Sequence, residues 1–235
     1  KWGEERNTDD LEGDVVATSE KRPTTEEIDH ILSNYFGKIN QVPPAYSAVK
    51  VDGARAYDLA RTGEQVELKS RTVTIYRLQR LDGGDPEETA FEVECGKGTY
   101  IRALARDMGR DLGCYGHVSA LRRTRVGPYR EESMISLDNL EELRHKGAGQ
   151  QELTKFLRPV ETALDDIPAL AISQADAASL RNGQAILVRG RDAPVIKGPA
   201  YATYRGTLVA LGEVKGGQLH PKRVFQFADE GRRHE

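Results

Sequence analysis

The sequence predicts an α+β protein with a small β-barrel at its C-terminal end. Up to about residue 165, segments of alternating apolar residues are interspersed with segments whose apolar residues recur at helical spacing. From about Ile167 onward, short β-segments are separated by glycines. At 235 residues the chain can form a large and a small domain. We therefore expect a large domain over 1–165, a small one over 166–228 and a loose tail over 229–235.

The first predicted elements are a strand over Val15 to Ala17 and a capped helix. Thr24 can cap the helix, and Glu27 stands three residues later, as a capping box requires. The helix should end at Gly37. Its apolar face consists of residues at helical spacing: Ile28, Ile31, Leu32, Tyr35 and Phe36.

An extended segment follows, because Pro43 and Pro44 exclude a helix. Ser47 to Val51 is predicted as a strand closed by an Asp-Gly turn, and Ala54 to Arg61 as a short helix. Tyr46 and Lys50 in this segment could bind a nucleotide or simply lie on the surface, and their spacing does not choose between these interpretations.

Thr72 to Leu81 and Ala90 to Cys95 alternate as neighbouring strands do. A Gly-Lys-Gly loop at 96–98 then leads into a helix that Gly113 ends. The helix has an apolar stripe that suits packing on a sheet: Ile101, Leu104, Ala105, Met108 and Leu112. The loop is either a plain strand-to-helix turn or a functional site where backbone approaches a ligand closely.

Positive charge is concentrated in one part of an acidic chain. Between Lys97 and Arg130 there are eight Lys or Arg and two acids, whereas the whole chain has a net charge of -3. Arg102, Arg106 and Arg110 repeat every four residues beside the apolar stripe. This pattern indicates a phosphate-binding surface, with a solvated helix face as the alternative.

The next segment, Cys114 to Val126, is predicted as a basic strand or turn-strand. His117 within it is either an acid–base group or, as lone histidines more often are, a hydrogen-bonded structural residue. A short helix is expected over Ser136 to Leu143, and a helix end at Leu180 to Gly183. The strands of the predicted barrel are Ala185 to Val188, Gly206 to Val214 and Leu219 to Phe227.

Composition excludes several classes of protein. No apolar run approaches the roughly 20 residues of a membrane helix, and the first residues lack the apolar core of a signal peptide. The two cysteines, Cys95 and Cys114, have no metal-binding or redox spacing, which fits a reducing cytoplasm. A structural zinc site is not expected.

Several blocks of the sequence resemble the bacterial tRNA pseudouridine-55 synthases, in the order typical of that family. They span about 120 residues: Asn-Thr-Asp-Asp-Leu-Glu-Gly at 7–13, Gln-Val-Pro-Pro-Ala-Tyr-Ser-Ala-Val-Lys at 41–50, Tyr-Asp-Leu-Ala-Arg at 57–61, Lys-Gly-Thr-Tyr-Ile-Arg at 97–102, and His117 with Leu-Arg-Arg at 121–123. The C-terminal segment Ile167 to Phe227 resembles, more loosely, the PUA RNA-binding barrel that such enzymes often have.

The resemblance implies a mixed, largely antiparallel sheet flanked by helices, and an isomerase that detaches uracil from ribose and rejoins it through carbon 5. The substrate would be a T-loop uridine of tRNA, flipped into a pocket. A cytoplasmic enzyme, a monomer when intact, is implied, with no metal, organic cofactor or membrane involved.

The family pattern also assigns roles to individual residues. Tyr100 matches the tyrosine that stacks on the flipped base, Arg102 the arginine that pairs with a nucleophilic aspartate, and Leu121 an apolar wall of the pocket. RNA contacts are expected from the basic residues of the matching blocks and the helix between them: Lys50, Lys97, Arg106, Arg122 and Arg123.

One family motif does not occur in the sequence. The nucleophile normally stands in Gly-x-Leu-Asp-Pro-x-Ala-x-Gly upstream of the acidic block, and the 235 residues contain no such motif. Asp9 and Asp10 match an acidic turn of the family instead. We therefore expect a truncated chain that is inactive alone and in which Arg102 has lost its carboxylate partner. The rival prediction is a tRNA-binding protein without chemistry; a nucleotidase fits poorly because the P-loop pattern is missing.

Overall fold

The computed structural model describes residues 1–51, 54–61, 68–83, 85–147, 149–188 and 196–227. The chain forms two compact units, Lys1–Arg122 and Arg123–Glu235. Within the described residues, no helix combines the length and apolar character needed to cross a bilayer. The predicted domain boundary at 165/166 lies later than this division and stays a prediction, and the predicted tail at 229–235 lies outside the described residues.

The first unit contains short antiparallel ladders and three helices. Its strands are β1 (Glu4–Arg6), β2 (Val15–Thr18), β3 (Gly37–Gln41), β4 (Lys50–Val51), β5 (Ala54–Arg55), β6 (Arg71–Arg80) and β7 (Phe91–Cys95). Its helices are α1 (Thr25–Leu32), α2 (Ala56–Arg61) and α3 (Ile101–Asp111). The pairs β1–β2 and β4–β5 form separate hairpins, whereas β3, β6 and β7 form an antiparallel sheet in the order β3-β6-β7.

The start of α1 follows the sequence closely. Thr24 accepts a hydrogen bond from the Glu27 N–H at 3.2 Å, and the Glu27 carboxylate accepts one from the Thr24 N–H at 2.8 Å, which confirms the capping box. The α-helix ends earlier than predicted, because its last turn tightens into a 3₁₀ helix over Ser33–Tyr35. Gly37, at a φ of +79°, then begins β3.

The core of the first unit lies between α3, α1 and the three-stranded sheet. Of the predicted apolar stripe of α3, Leu104, Met108 and Leu112 are buried, whereas Ile101 and Ala105 are half-buried. Each of the three buried side chains contributes about 1.5–3 kcal/mol through removal from water. The buried core residues are Trp2, Ile28, Tyr35, Ile75, Leu104, Met108, Leu112 and Cys114. Helix α3 also approaches the chain after it closely, since a Cβ at Gly109 would lie 2.3 Å from the Gly116 nitrogen. This packing fixes α3 against the first residues of the chain.

Three predicted elements differ from the structure. The strand expected over Ser47 to Val51 is limited to β4, and the helix expected from Ala54 begins at Ala56, because Ala54 and Arg55 pair with β4. The Asp-Gly turn at 52–53 lies outside the described residues. The basic strand or turn-strand expected over Cys114 to Val126 is a strand only at its end, Arg125–Val126; isolated bridges from Gly116 to Trp2 and from Val118 to Asp10 hold its first part.

The second unit is rich in β-structure. It begins with the hairpin β8 (Arg125–Val126) and β9 (Tyr129–Arg130), and continues through 3₁₀ turns at Glu131–Ser133 and Val160–Leu164 and helices α4 (Leu137–His145) and α5 (Gln150–Thr154). The remaining elements are β10 (Ala169–Ala171), α6 (Gln174–Arg181), β11 (Ile186–Leu187), β12 (Gly198–Tyr204), β13 (Thr207–Lys215) and β14 (Gln218–Val224).

These C-terminal strands form one curled sheet in the order β10-β12-β13-β14-β11. Only the β10–β12 pair is parallel. Leu180 of α6 is fully buried in a core formed with small and branched strand residues: Ala200, Ala202, Val209, Ala210, Val214 and Leu219. The predicted α+β class, with largely antiparallel sheets, is thus confirmed; strand β12 was not anticipated.

Candidate active site

The Gly-Lys-Gly loop connects β7 to α3 and places Tyr100 at the mouth of the helix. Gly98 adopts a φ of +86°, a left-handed conformation that glycine takes without a steric cost. Within the turn, the Thr99 hydroxyl donates to the Gly96 carbonyl at 2.9 Å. Lys97 is exposed, whereas Tyr100 is half-buried. The loop is therefore a compact turn that presents a lysine and leads directly into a tyrosine.

Tyr100 is the N-cap residue of α3 and is fixed by Gln41. The Tyr100 N–H donates to Oε1 of Gln41 at 2.9 Å, and Nε2 of Gln41 donates to the Tyr100 carbonyl at 3.1 Å. The same carbonyl accepts the first helical hydrogen bond, from the Leu104 N–H at 3.1 Å. One side chain from the end of β3 thus holds both backbone polar groups of Tyr100.

Arg102, the second residue of α3, makes three hydrogen bonds. Its Nη1 donates to the Asp10 carboxylate at 2.9 Å and to the Thr8 carbonyl at 3.0 Å, and its Nη2 donates to the Tyr46 carbonyl at 2.8 Å. The side chains of Arg102 and Asp10 remain 27% and 25% exposed. Arg102 therefore has a carboxylate partner in Asp10 of the acidic turn. The expectation that it lacks its second partner, the aspartate of the nucleophile motif, stays a prediction.

Asp10 is held in its ionised form. Burial by itself would raise its pKa, but hydrogen bonds from the Thr8 hydroxyl, the Glu12 N–H and Arg102 outweigh burial and lower the pKa below its usual value. The turn at 8–12 thus holds the Asp10 carboxylate in a fixed position beside the N-terminus of α3, where it accepts a hydrogen bond from Arg102.

Arg106 lies one turn further along α3 and is buried. It is 8% exposed, and its guanidinium donates to Asp9 at 2.9 Å, to Asp107 at 2.8 Å and to the Val42 carbonyl at 2.8 Å. The prediction that Arg106 belongs to a solvent-facing RNA-binding surface does not fit this position. Its donors are directed into the protein because Asp9 and Val42 both pack against this face of the helix.

Asp9 is the buried partner of that ion pair. It is 5% exposed and adopts a φ of +61°, which aspartate tolerates better than most residues. Burial raises the pKa of Asp9 to about 6, although the nearby Arg106 guanidinium opposes the shift. Ionisation of Asp9 at this buried position therefore costs free energy.

Arg110 completes the series, donating to both oxygens of Glu5 at 2.8 and 2.6 Å. Arginines four residues apart share one face of a helix, and this face meets β1 and the acidic turn. We call the resulting set the arginine ladder: Arg102 with Asp10, Arg106 with Asp9, and Arg110 with Glu5. Much of the positive charge in the basic segment is thus neutralised within the protein.

The other predicted site residues lie in different environments. Arg122 and Arg123 are exposed, and Leu121 is 58% exposed. The side chain of Lys50 lies outside the part of the chain that the structure describes. The roles predicted for these residues stay predictions.

Near Arg102, the ring of Tyr46 packs edge-on against that of Tyr57, with 5.9 Å between their centroids. The guanidinium of Arg61 lies 5.3 Å from the centre of the Tyr57 ring.

His117 has the environment of a structural residue. It is 1% exposed, and its Nδ1 lies 3.0 Å from the Glu4 carbonyl. Burial lowers the pKa of His117, which favours the neutral imidazole. Among the described residues, His, Cys, Asp and Glu side chains form no group of three or more that could hold a metal ion.

Sequence reasoning missed the importance of Gln41 and of the acidic turn. Gln41 occurs in a matching block but was given no role, and Asp10 was treated only as part of a turn. Asp10 and Arg102 are 92 positions apart, and Gln41 and Tyr100 are 59 apart. The four-residue spacing of the arginines shows that they share one face of the helix, but it does not identify the acids that pack against that face.

Comparison with known proteins places the chain in a family. The family model "TruB family pseudouridylate synthase (N terminal domain)" matches residues 1–101, and "tRNA pseudouridylate synthase B C-terminal domain" matches residues 102–165. The chain is 60% identical to a tRNA pseudouridine synthase B of Bradyrhizobium diazoefficiens, covering 96% of this chain and 66% of that protein. It is 54% identical to the Rhizobium etli protein of the same name, covering 95% and 73%.

Solved structures show the same fold. A Cbf5-Nop10-Gar1 complex contains a chain that matches with a TM-score of 0.67 and 26% identity over 88% of this chain and 63% of that one. An H/ACA ribonucleoprotein bound to a substrate RNA matches with a TM-score of 0.65 and 24% identity over 89% and 63%. The chain spans 62 to 66% of the length of the first three curated relatives. On its family matches and its close relatives, the chain belongs to the tRNA pseudouridine synthase B family.

Proposed function

We propose that this chain provides the base-binding part of a tRNA pseudouridine synthase that acts on the T-loop uridine at position 55. In this isomerisation the bond from ribose C1′ to N1 breaks and a bond from C1′ to C5 forms. A proton leaves C5 and N1 gains one, so no atom is added or lost. Tyr100 stacks on the flipped uracil, and Leu121 forms an apolar wall of its pocket. Support comes from the fixed backbone of Tyr100 and the exposure of Leu121.

The position of Arg102 is the observation that carries this proposal. It stands two residues after Tyr100, at the positive end of a helix, and Asp10 orients it. A guanidinium has five N–H donors, and Arg102 makes three hydrogen bonds to the described residues. The remaining donors suit a second carboxylate, so Arg102 can hold a nucleophilic aspartate ionised and aimed at C1′.

That aspartate is not among the 235 residues, since the Gly-x-Leu-Asp-Pro-x-Ala-x-Gly motif does not occur in them. We propose that this chain alone binds the T-arm but does not isomerise uridine, and that activity needs the motif to be supplied. The exposed cations Lys97, Arg122 and Arg123 and the C-terminal sheet, as a PUA-like element, bind the RNA. Their contacts offset the few kcal/mol that base flipping costs. The enzyme acts in the cytoplasm as a monomer, without a metal or organic cofactor.

The test compares this chain with a version extended upstream by the nucleophile segment. Both are incubated with a T-arm stem-loop, and pseudouridine is quantified after carbodiimide labelling. We expect product only from the extended protein, and we expect Arg102→Ala to lower its single-turnover rate by about 10³-fold, as for loss of a preorganised charge at a reacting centre. Product formation by the chain whose mass shows only these 235 residues would contradict the proposal.

The alternative is a tRNA-binding protein without chemistry, which the missing motif favours. Arg102 separates the two functions. If it were only a phosphate contact, Arg102→Ala would weaken RNA binding and reduce its salt dependence by about one unit of slope, while leaving the rate with bound RNA unchanged.

A further inference from the structure

We propose that Gln41 is a positioning residue that sets the orientation of Tyr100 through the backbone, so that the ring can stack on the flipped base. This inference rests on the function proposed above for Tyr100. Gln41 is 2% exposed and ends β3. Its two hydrogen bonds reach the N–H and the carbonyl of one residue, as a neighbouring strand would.

The local sequence explains why α3 needs this contact. In a capping box, the side chain three residues after the N-cap bonds back to the N-cap N–H. That position in α3 is Ala103, which has no polar group, and the Tyr100 side chain makes no cap hydrogen bond. Gln41, at the end of β3, therefore accepts the hydrogen bond from the Tyr100 N–H that no side chain of α3 accepts.

The neighbouring residue strengthens the arrangement. The carbonyl of Val42 accepts a hydrogen bond from Arg106 at 2.8 Å, so the end of β3 and the residue after it contact α3 at its N-cap and again at its second turn. The positions of the Tyr100 and Arg102 side chains both depend on the direction in which α3 begins. Because a misplacement of about 1 Å can cost about 100-fold in rate, loss of the Gln41 contact should affect the chemical step more than RNA affinity.

Two substitutions of Gln41 and one control test the hydrogen bonds of the amide. Gln41→Met keeps the length of the side chain but removes both hydrogen bonds. Gln41→Glu retains an acceptor for the Tyr100 N–H but sets an ionised oxygen against the Tyr100 carbonyl. At low pH the protonated acid both donates and accepts, as the amide does. Asn40→Ala is the matched control, since Asn40 bonds the Thr72 hydroxyl at 3.0 Å and makes no such contact with α3.

The isomerisation rate is measured under single turnover with a T-arm stem-loop, using the version of the protein extended by the nucleophile segment. RNA affinity and thermal unfolding are measured in the same proteins. We expect Gln41→Met to lower the rate by about 10- to 100-fold with affinity changed less than about threefold. Gln41→Glu should be slow at pH 8 and recover toward pH 5.5, relative to the unsubstituted protein, and Asn40→Ala should match the unsubstituted protein. Unchanged rates in Gln41→Met, or equal losses of rate and affinity, would overturn the proposal.

A double-mutant cycle covers the case in which Gln41→Met is poorly folded. If Gln41 acts through Tyr100, then adding Gln41→Met to Tyr100→Ala should slow the reaction by less than about twofold further. A full additional loss would mean that Gln41 acts on something other than Tyr100. Failure of the underlying function looks different, because Tyr100→Ala by itself would then leave the rate unchanged. In the 235-residue chain, faster hydrogen exchange of the Tyr100 amide in Gln41→Met reports the lost contact directly.

Discussion

Two groups of arginines belong to the same basic segment of the sequence but lie in different environments. One group is on helix α3, and the other consists of Arg122 and Arg123. The α3 arginines contact Asp10, Asp9 and Glu5 in the arginine ladder. Arg122 and Arg123 are exposed. A basic segment is therefore not equivalent to a basic surface. What separates the two groups is burial: Arg106 of α3 is buried against Asp9, whereas Arg122 and Arg123 are both exposed.

Within the ladder, burial falls from the middle to the end. The side chains of Arg106 and Asp9 are 9% and 7% exposed, whereas that of Arg110 is 52% exposed. A buried pair is costly to break because a desolvated charge remains, whereas an exposed pair is worth little. The following experiments test this gradient in burial and the contrast between the arginine ladder and the exposed residues Arg122 and Arg123. They are given in order of decreasing expected effect.

Breaking the buried pair should have the largest effect. Arg106→Met leaves the Asp9 carboxylate without its cation and removes the donor to the Val42 carbonyl. We expect the free energy of unfolding at pH 8 to fall by about 3 kcal/mol. Urea denaturation monitored by circular dichroism measures this, with Arg110→Met as the control. Equal losses in the two variants would contradict the difference in burial.

The pH dependence of stability should identify Asp9. The pKa of Asp9 is about 6 in the folded protein, against an ordinary value of 3.8, so the folded state binds the proton more tightly. Its contribution to the free energy of unfolding should therefore rise as pH falls through 6 and level off near 4, by up to roughly 3 kcal/mol. Asp9→Asn, which tolerates the same backbone conformation, should lack this rise.

The difference in the free energy of unfolding between the unsubstituted protein and Asp9→Asn reports Asp9 alone. Other acids titrate in both proteins; burial also raises the pKa of Asp107, for example. Urea midpoints at pH 8, 6 and 4.5 are sufficient. Parallel curves for Asp9→Asn and the unsubstituted protein would show that Asp9 does not titrate in this range.

The exposed arginines should affect RNA binding instead of stability. Arg122→Gln combined with Arg123→Gln should weaken T-arm binding several-fold, by about 1 kcal/mol, and reduce the salt slope by about two. Fluorescence anisotropy at several salt concentrations measures both quantities. Arg110→Gln removes one charge from the ladder and should leave the slope unchanged. A slope that falls equally in Arg110→Gln would show that charge alone, and not position, determines RNA binding.

The smallest effect is expected at the end of the ladder. Arg110→Gln should lower the free energy of unfolding by about 0.5 kcal/mol at low salt, and by less at 1 M salt, because an exposed pair is screened. Urea denaturation at the two salt concentrations tests this. A loss that does not depend on salt would indicate that Arg110 acts through packing.

Local features of the fold could be predicted from the sequence because neighbouring residues determine them. The capping box at Thr24, the apolar stripe of α3 and the end of that helix at Gly113 were all predicted, and Gly113 adopts a φ of +68°. Strand β12 was missed, because its Gly-Pro-Ala-Tyr-Ala-Thr-Tyr sequence is poor in branched apolar residues.

The site was predicted less completely because its partners are distant in the sequence. The family resemblance assigned roles to Tyr100 and Arg102, but no local pattern indicated that Asp10 would approach Arg102 or that Gln41 would reach Tyr100. Arg106 was misplaced for the same reason. Its four-residue spacing from Arg102 showed that the two share a face, but the identity of the segment covering that face depended on tertiary structure.

The arginine ladder also bears on the order in which the chain folds. Three like charges at four-residue intervals oppose each other, so α3 is a poor helix by itself, even with Asp107 and Asp111 nearby. Their partners Glu5, Asp9 and Asp10 are synthesised about a hundred residues earlier. Helix formation and docking of the first strand should therefore occur as one cooperative step, with the N-terminal residues exposed until α3 has been made.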